Sequence, residues 1–175
     1  MKNIEIKTAC PSLDEFYPKL KVLGASHVWT RRQRDTFFHV PEGYLKLRMA
    51  ESEPGELIAY AREAGAHPRP SDYEIAVISD PDVLEDALTR SLGIRGVVQK
   101  TRQLYLWRHT RIHLDEVVGL GSFLELEAVA REISLEEAET EAETVIERLG
   151  LARSEFLGRP YLELLEARAV AGSPR

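Results

Sequence analysis

The sequence predicts an α+β domain, a run of consecutive antiparallel strands with amphipathic helices packed on one side. Three observations predict it. Eight segments alternate polar and apolar residues with period two, the spacing of strands with two unlike faces. Most of them follow one another across short turns, which pairs them antiparallel. Three further segments carry helix start and stop signals.

The strands are expected at Lys2–Ala9, Val28–Val40, Tyr44–Ala50, Leu57–Glu63, Tyr73–Ile78, Val97–Leu106, Thr110–Val117 and Ser122–Ala130. Pro41-Glu42-Gly43 and Gly119-Leu120-Gly121 are the clearest turns between them. Ser12-Leu13-Asp14-Glu15 reads as a capping box opening a helix that stops at Gly24. Asp80-Pro81 opens a second helix, with proline at its first position and Gly93 at its end. Ser134-Leu135-Glu136-Glu137 is another capping box, closed by Gly150, and a short last helix is expected around Tyr161 to Ala167. The Pro/Gly-rich stretch from Gly65 to Ser71 reads as a loop. One domain is expected over 1–168, with 169–175 a fraying tail. A faint repeat relates the first strand and its Ser12 helix to Leu124–Glu127 and the Ser134 helix.

Composition narrows the function classes. The 175 residues carry a formal net charge of -6, which argues against non-specific binding to nucleic acid or to an anionic membrane. The single cysteine, Cys10, rules out an internal disulfide and reads as a small half-buried hydrophobe. Met1 to Glu5 lacks the apolar centre of a signal peptide, and no apolar run is long enough to span a bilayer. A cytoplasmic protein is the expectation.

Period two assigns faces. Ile4 and Ile6 oppose Glu5 and Lys7, Leu45 and Leu47 oppose Lys46 and Arg48, and Leu57, Ala59 and Ala61 oppose Tyr60 and Arg62. Lys100 and Arg102 share a face; Ile112 and Leu114 oppose Arg111, His113 and Asp115; Leu124 and Leu126 oppose Phe123, Glu125 and Glu127. The helices are expected to cover the aliphatic faces. The charged faces have two readings. One is an open sheet wetted on that side. The other is a closed barrel with the charges inside, where a polyanion and divalent cations would neutralise them.

These residues resemble the CYTH, or triphosphate tunnel, superfamily, which includes class IV adenylate cyclases and thiamine triphosphatases. Its opening E-x-E-x-K strand reads Asn3-Ile4-Glu5-Ile6-Lys7 here. The likeness continues through Arg34–Phe38, Tyr44–Arg48, Ile58–Arg62, Val98–Arg102, Arg111–Asp115 and Phe123–Glu127, and ends with Gly158-Arg159-Pro160-Tyr161-Leu162-Glu163-Leu164-Leu165. No one segment is specific; the ordered set is. The resemblance implies an eight-stranded antiparallel barrel that receives a triphosphate such as ATP, thiamine triphosphate or tripolyphosphate. It implies Mg²⁺ or Mn²⁺ held by Glu5, Asp115, Glu125 and Glu127. It implies phosphate grips from Lys7, Lys46, Arg48, Arg62, Lys100, Arg102 and Arg111, with Arg159 reaching in from the C-terminal segment. Lys7, Arg48 and Lys100 are the implied catalytic cations. The implied activity is either adenylate cyclisation or triphosphate hydrolysis, and a homodimer is consistent with the family. Asn3 departs from the pattern, because it offers a carbonyl oxygen but no charge. A polyphosphate- or nucleotide-binding module without turnover is therefore the alternative.

Other residues have plainer readings. His113 reads first as a structural histidine and second as a general base. His27, His39, His67 and His109 lack zinc spacing. Trp29 and Trp107 read as packing or dimer residues, with Trp29 as a stacking platform for a base the lesser option. Asp35 reads equally as a strand salt bridge and as a residue orienting a basic neighbour or a metal-bound water.

Overall fold

The structure, a computed structural model, describes residues 3–61, 69–70 and 72–171. Its strands are β1 (Asn3–Cys10), β2 (Ser26–Phe38), β3 (Tyr44–Ala50), β4 (Gly55–Ala61), β5 (Arg69–Pro70), β6 (Asp72–Ile78), β7 (Ile94–Trp107), β8 (Thr110–Val117) and β9 (Gly121–Val129). Its helices are α1 (Phe16–Leu23), α2 (Pro81–Leu92), α3 (Leu135–Leu149) and α4 (Tyr161–Ala171), with a 3-10 turn at Arg153–Glu155. All eight expected strands are present. The ninth, β5, is two residues long and falls in the stretch read as a loop.

The strands form one sheet in the order β5-β1-β9-β8-β7-β2-β3-β4-β6, antiparallel at every pairing. The two ends of that order, β5 and β6, are separated by one residue of chain. The sheet also curls. Tyr73 on β6 lies close enough to Glu127 on β9 for that carboxylate, after burial, to raise its phenol above the usual range.

The aliphatic faces of β1, β8 and β9 are covered as expected. Ile6, Ile112, Leu114, Leu124 and Leu126 pack with Phe16 and Leu20 of α1 and with Val145, Ile146 and Leu149 of α3. Each fully buried aliphatic or aromatic side chain contributes roughly 1.5–3 kcal/mol. An eight-residue helix such as α1 is marginal alone, so this packing holds it.

Two helix expectations need correction. The Ser12 capping box does not form: α1 begins at Phe16, and Ser12 Oγ accepts instead from the Asp14 N–H, at 3.1 Å. A helix starting at Leu13 would bury Pro18 in its interior, where the ring clashes and a hydrogen bond is lost. Starting at Phe16 leaves Pro18 in the first turn, where proline is tolerated. The second correction concerns cover. α2 buries no side chain fully and rests on β2 through Glu85, which accepts from Arg34 and Thr36. The other two start signals hold. Asp80 accepts from the Val83 N–H ahead of Pro81, and the Ser134–Glu137 box is complete in both directions.

A second cluster lies inside the curl. Phe37, Val98, Val117 and Phe123 from the sheet meet Tyr161 and Leu162 from α4. Gly96 permits this, since a Cβ there would lie 2.5 Å from Leu162 Cδ1. The last helix thus packs into one end of the curled sheet.

Candidate functional site

One cavity of about 620 Å³ lies on the charged faces of the strands. Glu5, Lys7, Lys46, Arg48, Lys100, Arg102, Arg111, Glu125 and Glu127 all line it. Alternation explains the convergence: each occupies the inward position of its strand while the aliphatic neighbours face the helices.

Two hairpins carry the same device. On β2–β3, Asp35 stands directly across from Arg48. Arg48 donates to both its oxygens, at 2.8 and 3.0 Å, and Lys46 donates at 2.9 Å. On β7–β8, Arg102 stands across from Asp115 and donates at 2.7 and 2.6 Å, with Lys100 Nζ 3.6 Å away. Each hairpin therefore holds a Lys-x-Arg pair oriented by one aspartate. Bidentate pairing fixes a guanidinium plane as a single contact cannot.

Tyr161 joins the second device. Its hydroxyl donates to Asp115 Oδ2 at 2.9 Å, and its ring lies 4.3 Å from Lys7 Nζ and 5.2 Å from Lys100 Nζ. Burial and then the Asp115 charge push its phenol well above the ordinary value, so it remains a donor.

The charge states follow from burial and neighbours. Burial, reinforced by Arg102, lowers Lys100 to about 7. Burial also lowers Lys46 to about 8, partly offset by Asp35. Burial works against the carboxylates, but the cations prevail. Arg48 and Lys46 hold Asp35 well below its usual range, Arg102 and Lys100 hold Asp115 at about 2, and Arg102 and Lys7 lower Glu125.

The remaining carboxylates form one wall. Glu5 and Glu127 are direct cross-strand partners on β1 and β9, and Lys7 pairs with Glu125 in the same ladder. Glu125 lies 3.2 Å from Arg102 and 3.6 Å from Lys7; Glu127 lies 3.3 Å from Arg111 and 3.6 Å from His113 Nε2. Burial lowers the His113 imidazole, and its Nε2 faces the Glu127 carboxylate at ion-pair distance.

This wall fits a hard cation in part. Its donors are carboxylate oxygens, which suit Mg²⁺ or Mn²⁺. Like charges directly opposed on a ladder are unfavourable unless compensated. The buried His113 adds a polar group facing the same side. Yet no three acidic, histidine or cysteine side chains among the described residues are gathered closely enough to hold an ion unaided. Phosphate oxygens from a ligand would have to complete the shell, the common arrangement for Mg²⁺.

Two expected site residues stand elsewhere, and a third is not among the described residues. Asp115 is wholly buried behind the cavity, its two oxygens taken by Arg102 and Tyr161. Arg159 is exposed outside the cavity, whose lining at that point is Pro160 and Tyr161. Arg62 lies outside the described residues. Sequence reasoning missed Tyr161 as a site residue, although it stands inside the quoted Gly158–Leu165 segment. Tyr60 lines the cavity, and His39 is exposed away from it.

Residues 1–161 match the CYTH domain family, and the chain belongs to it. A Methanocaldococcus jannaschii protein provisionally named an adenylate cyclase is 24% identical over 173 residues, covering 94% of this chain and 98% of its own. A protein of Pyrococcus horikoshii OT3 shares the fold with a TM-score of 0.84 at 23% identity, covering 94% of this chain and 99% of its own. A Hippeastrum protein, provisionally an adenylyl cyclase and described as having a dominant triphosphatase activity, superposes with a TM-score of 0.70 at 18% identity, covering 96% of each chain. No helix among the described residues is long and apolar enough to cross a membrane.

Proposed function

We propose that this chain is a divalent-cation-dependent enzyme that grips a triphosphate inside a closed barrel and cleaves one of its phosphorus–oxygen bonds. Closure is supported by the one-residue gap between β5 and β6 and by the approach of Tyr73 to Glu127. The observation that carries the chemistry is the pair of Asp-oriented Lys-x-Arg devices facing one cavity, opposite an acidic wall.

The residues divide the work. Arg48 and Arg102, held planar by Asp35 and Asp115, present their remaining N–H groups to phosphate oxygens. Lys7, Lys46 and Lys100 add compact charges, and Arg111 contributes nearer the rim. Asp115 orients Arg102 rather than binding a cation, because its oxygens are already shared. Glu5, Glu125 and Glu127 hold Mg²⁺ or Mn²⁺ together with the ligand's phosphates. The bound cation supplies neutralisation at the phosphate oxygens and activation of the attacking oxygen. Phosphoryl transfer depends mainly on positioning and on stabilising charge at those oxygens. Lys7, Arg48 and Lys100, fixed before the ligand arrives, provide that stabilisation without reorganising. Attack by water releases phosphate or pyrophosphate; attack by a ribose 3′-hydroxyl on the α-phosphorus of ATP releases cyclic AMP and pyrophosphate. The names of the M. jannaschii and Hippeastrum relatives support both reactions.

Asn3 supports one second reading, a module that binds polyphosphate without turnover, since the wall lacks one acid of the family pattern. A turnover panel with ATP, thiamine triphosphate and tripolyphosphate, each with Mg²⁺ or Mn²⁺, decides. Cation-dependent release of phosphate, pyrophosphate or cyclic AMP is expected. Binding of tripolyphosphate without release gives the second reading, and absence of binding overturns both.

A further inference from the structure

We propose that Gln33 orients the attacking oxygen, of water or of a ligand hydroxyl, against the phosphorus it attacks. The role rests on the triphosphate reading and adds to it a neutral residue whose task no charged neighbour can perform.

Gln33 stands on the inward side of β2, between Arg31 and Asp35, and lines the cavity. Its direct partners across the ladders are Lys100 on β7 and Ala50 on β3. Opposed residues on an antiparallel ladder have Cβ atoms about 4.5–5.5 Å apart. The amide therefore starts beside a buried lysine, while the methyl group of Ala50 leaves the other flank open. Gln33 is only 8% exposed, and its Oε1 is buried with no hydrogen-bond partner among the described residues. A buried acceptor left in this way is costly and uncommon. Methionine or leucine would fill the same space without the cost, so packing alone does not account for glutamine here.

The surroundings define what the amide awaits. Each nearby cation is already turned to an acid: Arg31 to Glu53, Arg48 to Asp35 and Lys100 to Asp115. Ionised phosphate oxygens only accept, so the triphosphate itself offers Oε1 nothing. The nucleophile does, because water and a hydroxyl both carry a proton to donate. An amide accepts through its oxygen and donates through its nitrogen. A half-turn about its last, roughly two-fold torsion brings either atom to the cavity. Gln33 can thus hold a phosphate oxygen through Nε2 and the nucleophile through Oε1, which sets attacking oxygen and phosphorus side by side. An amide oxygen does not take up a proton near neutral pH, so Gln33 orients and does not deprotonate. In the step itself the attacking oxygen bonds to phosphorus and the bridging phosphorus–oxygen bond breaks. Its electron pair leaves with the departing phosphate chain, and the nucleophile's proton passes to a phosphate oxygen of the ligand. Orienting the nucleophile is a recurring part of phosphoryl transfer.

The test separates chemistry from grip, on the wild type, Gln33→Met and Gln33→Glu. Three quantities are measured: the thermal midpoint without ligand, tripolyphosphate affinity by calorimetry in EDTA, and kcat at saturating Mn²⁺. The substrate is whichever of ATP, thiamine triphosphate and tripolyphosphate the wild type turns over. Gln33→Met keeps the shape and loses both polar atoms. It is expected to lower kcat at least about tenfold, to change tripolyphosphate affinity by less than about threefold, and to leave the midpoint unchanged or raised. Gln33→Glu keeps an acceptor oxygen at the same reach, so it retains more kcat than Gln33→Met although its charge weakens tripolyphosphate binding. Four results overturn the role and leave the triphosphate reading intact. They are a kcat for Gln33→Met within about twofold of wild type, a loss of affinity as large as the loss of kcat, a midpoint lowered by more than about 3 °C, and a Gln33→Glu enzyme no faster than Gln33→Met. A wild type that turns over none of the three triphosphates overturns the enzymatic reading itself.

Discussion

Arg102 on β7 and Asp115 on β8 are direct cross-strand partners that share two short hydrogen bonds, and Asp115 has no exposed surface. Removing one member of such a pair leaves the other charge buried without compensation. Asp115→Ala is expected to cost about 3–5 kcal/mol, lowering the thermal midpoint by roughly 10 °C for a chain of this size. Thermal denaturation without ligand measures it. A loss below about 1 kcal/mol would show that Arg102 and Lys100 find water or another acid when Asp115 is gone.

The direct opposition of Glu5 and Glu127 gives a second expectation. If the wall holds a cation, Glu127→Gln raises the Mn²⁺ concentration needed for half-maximal turnover by at least about tenfold. Adding Glu125→Gln abolishes cation-dependent turnover. Cation titrations of the two variants against the wild type check this, and an unaltered titration would remove the wall from the mechanism.

Arg48 and Arg159 make a discriminating pair, one facing the cavity and one exposed outside it. Arg48→Ala is expected to weaken tripolyphosphate binding by about 1.5–3 kcal/mol, whereas Arg159→Ala leaves it unchanged. Calorimetric titration of both variants reads the difference. The reverse ranking would mean that the C-terminal arginine swings inward when the ligand binds.

The lysines set the pH dependence. Lys100 and Lys46 sit at about 7 and about 8, below an exposed lysine, chiefly because burial disfavours their charge. A polyanion favours the charged form, so binding takes up protons near pH 7.5. Affinity should fall as pH rises through this range and both groups lose charge. The stability sign is the opposite. Between about pH 7 and about pH 10 the unfolded chain binds more protons than the folded one, so the cost of burying these lysines fades as pH rises. Calorimetry in two buffers of different ionisation enthalpy tests the proton uptake. Release of protons, or no exchange, would contradict the assigned charge states.

Much of this was legible in the sequence because period two is a local signal. The inward side of β1, β3, β7, β8 and β9 follows from alternation alone, and so do most of the cavity's cations. Pairing across the sheet is not local. That Asp35 faces Arg48, and that Asp115 is spent on Arg102 rather than on the acidic wall, depends on strand register, which single strands do not encode. α1 shows the other kind of miss: Ser12 carries a valid start signal, but Pro18 six residues later decides where the helix can begin. The place of Tyr161 was hidden because a helix beginning after Pro160 reads as surface until its neighbours are known.

The contacts of Tyr161 bear on the order of assembly. Its hydroxyl completes Asp115 and its ring shields two lysines, yet α4 is synthesised after every strand of the wall. Until the carboxyl end docks, the floor stays open to water and its ionised groups are not sealed together. A chain released before Tyr161 would therefore leave Lys7, Lys100 and Asp115 facing water on that side of the sheet.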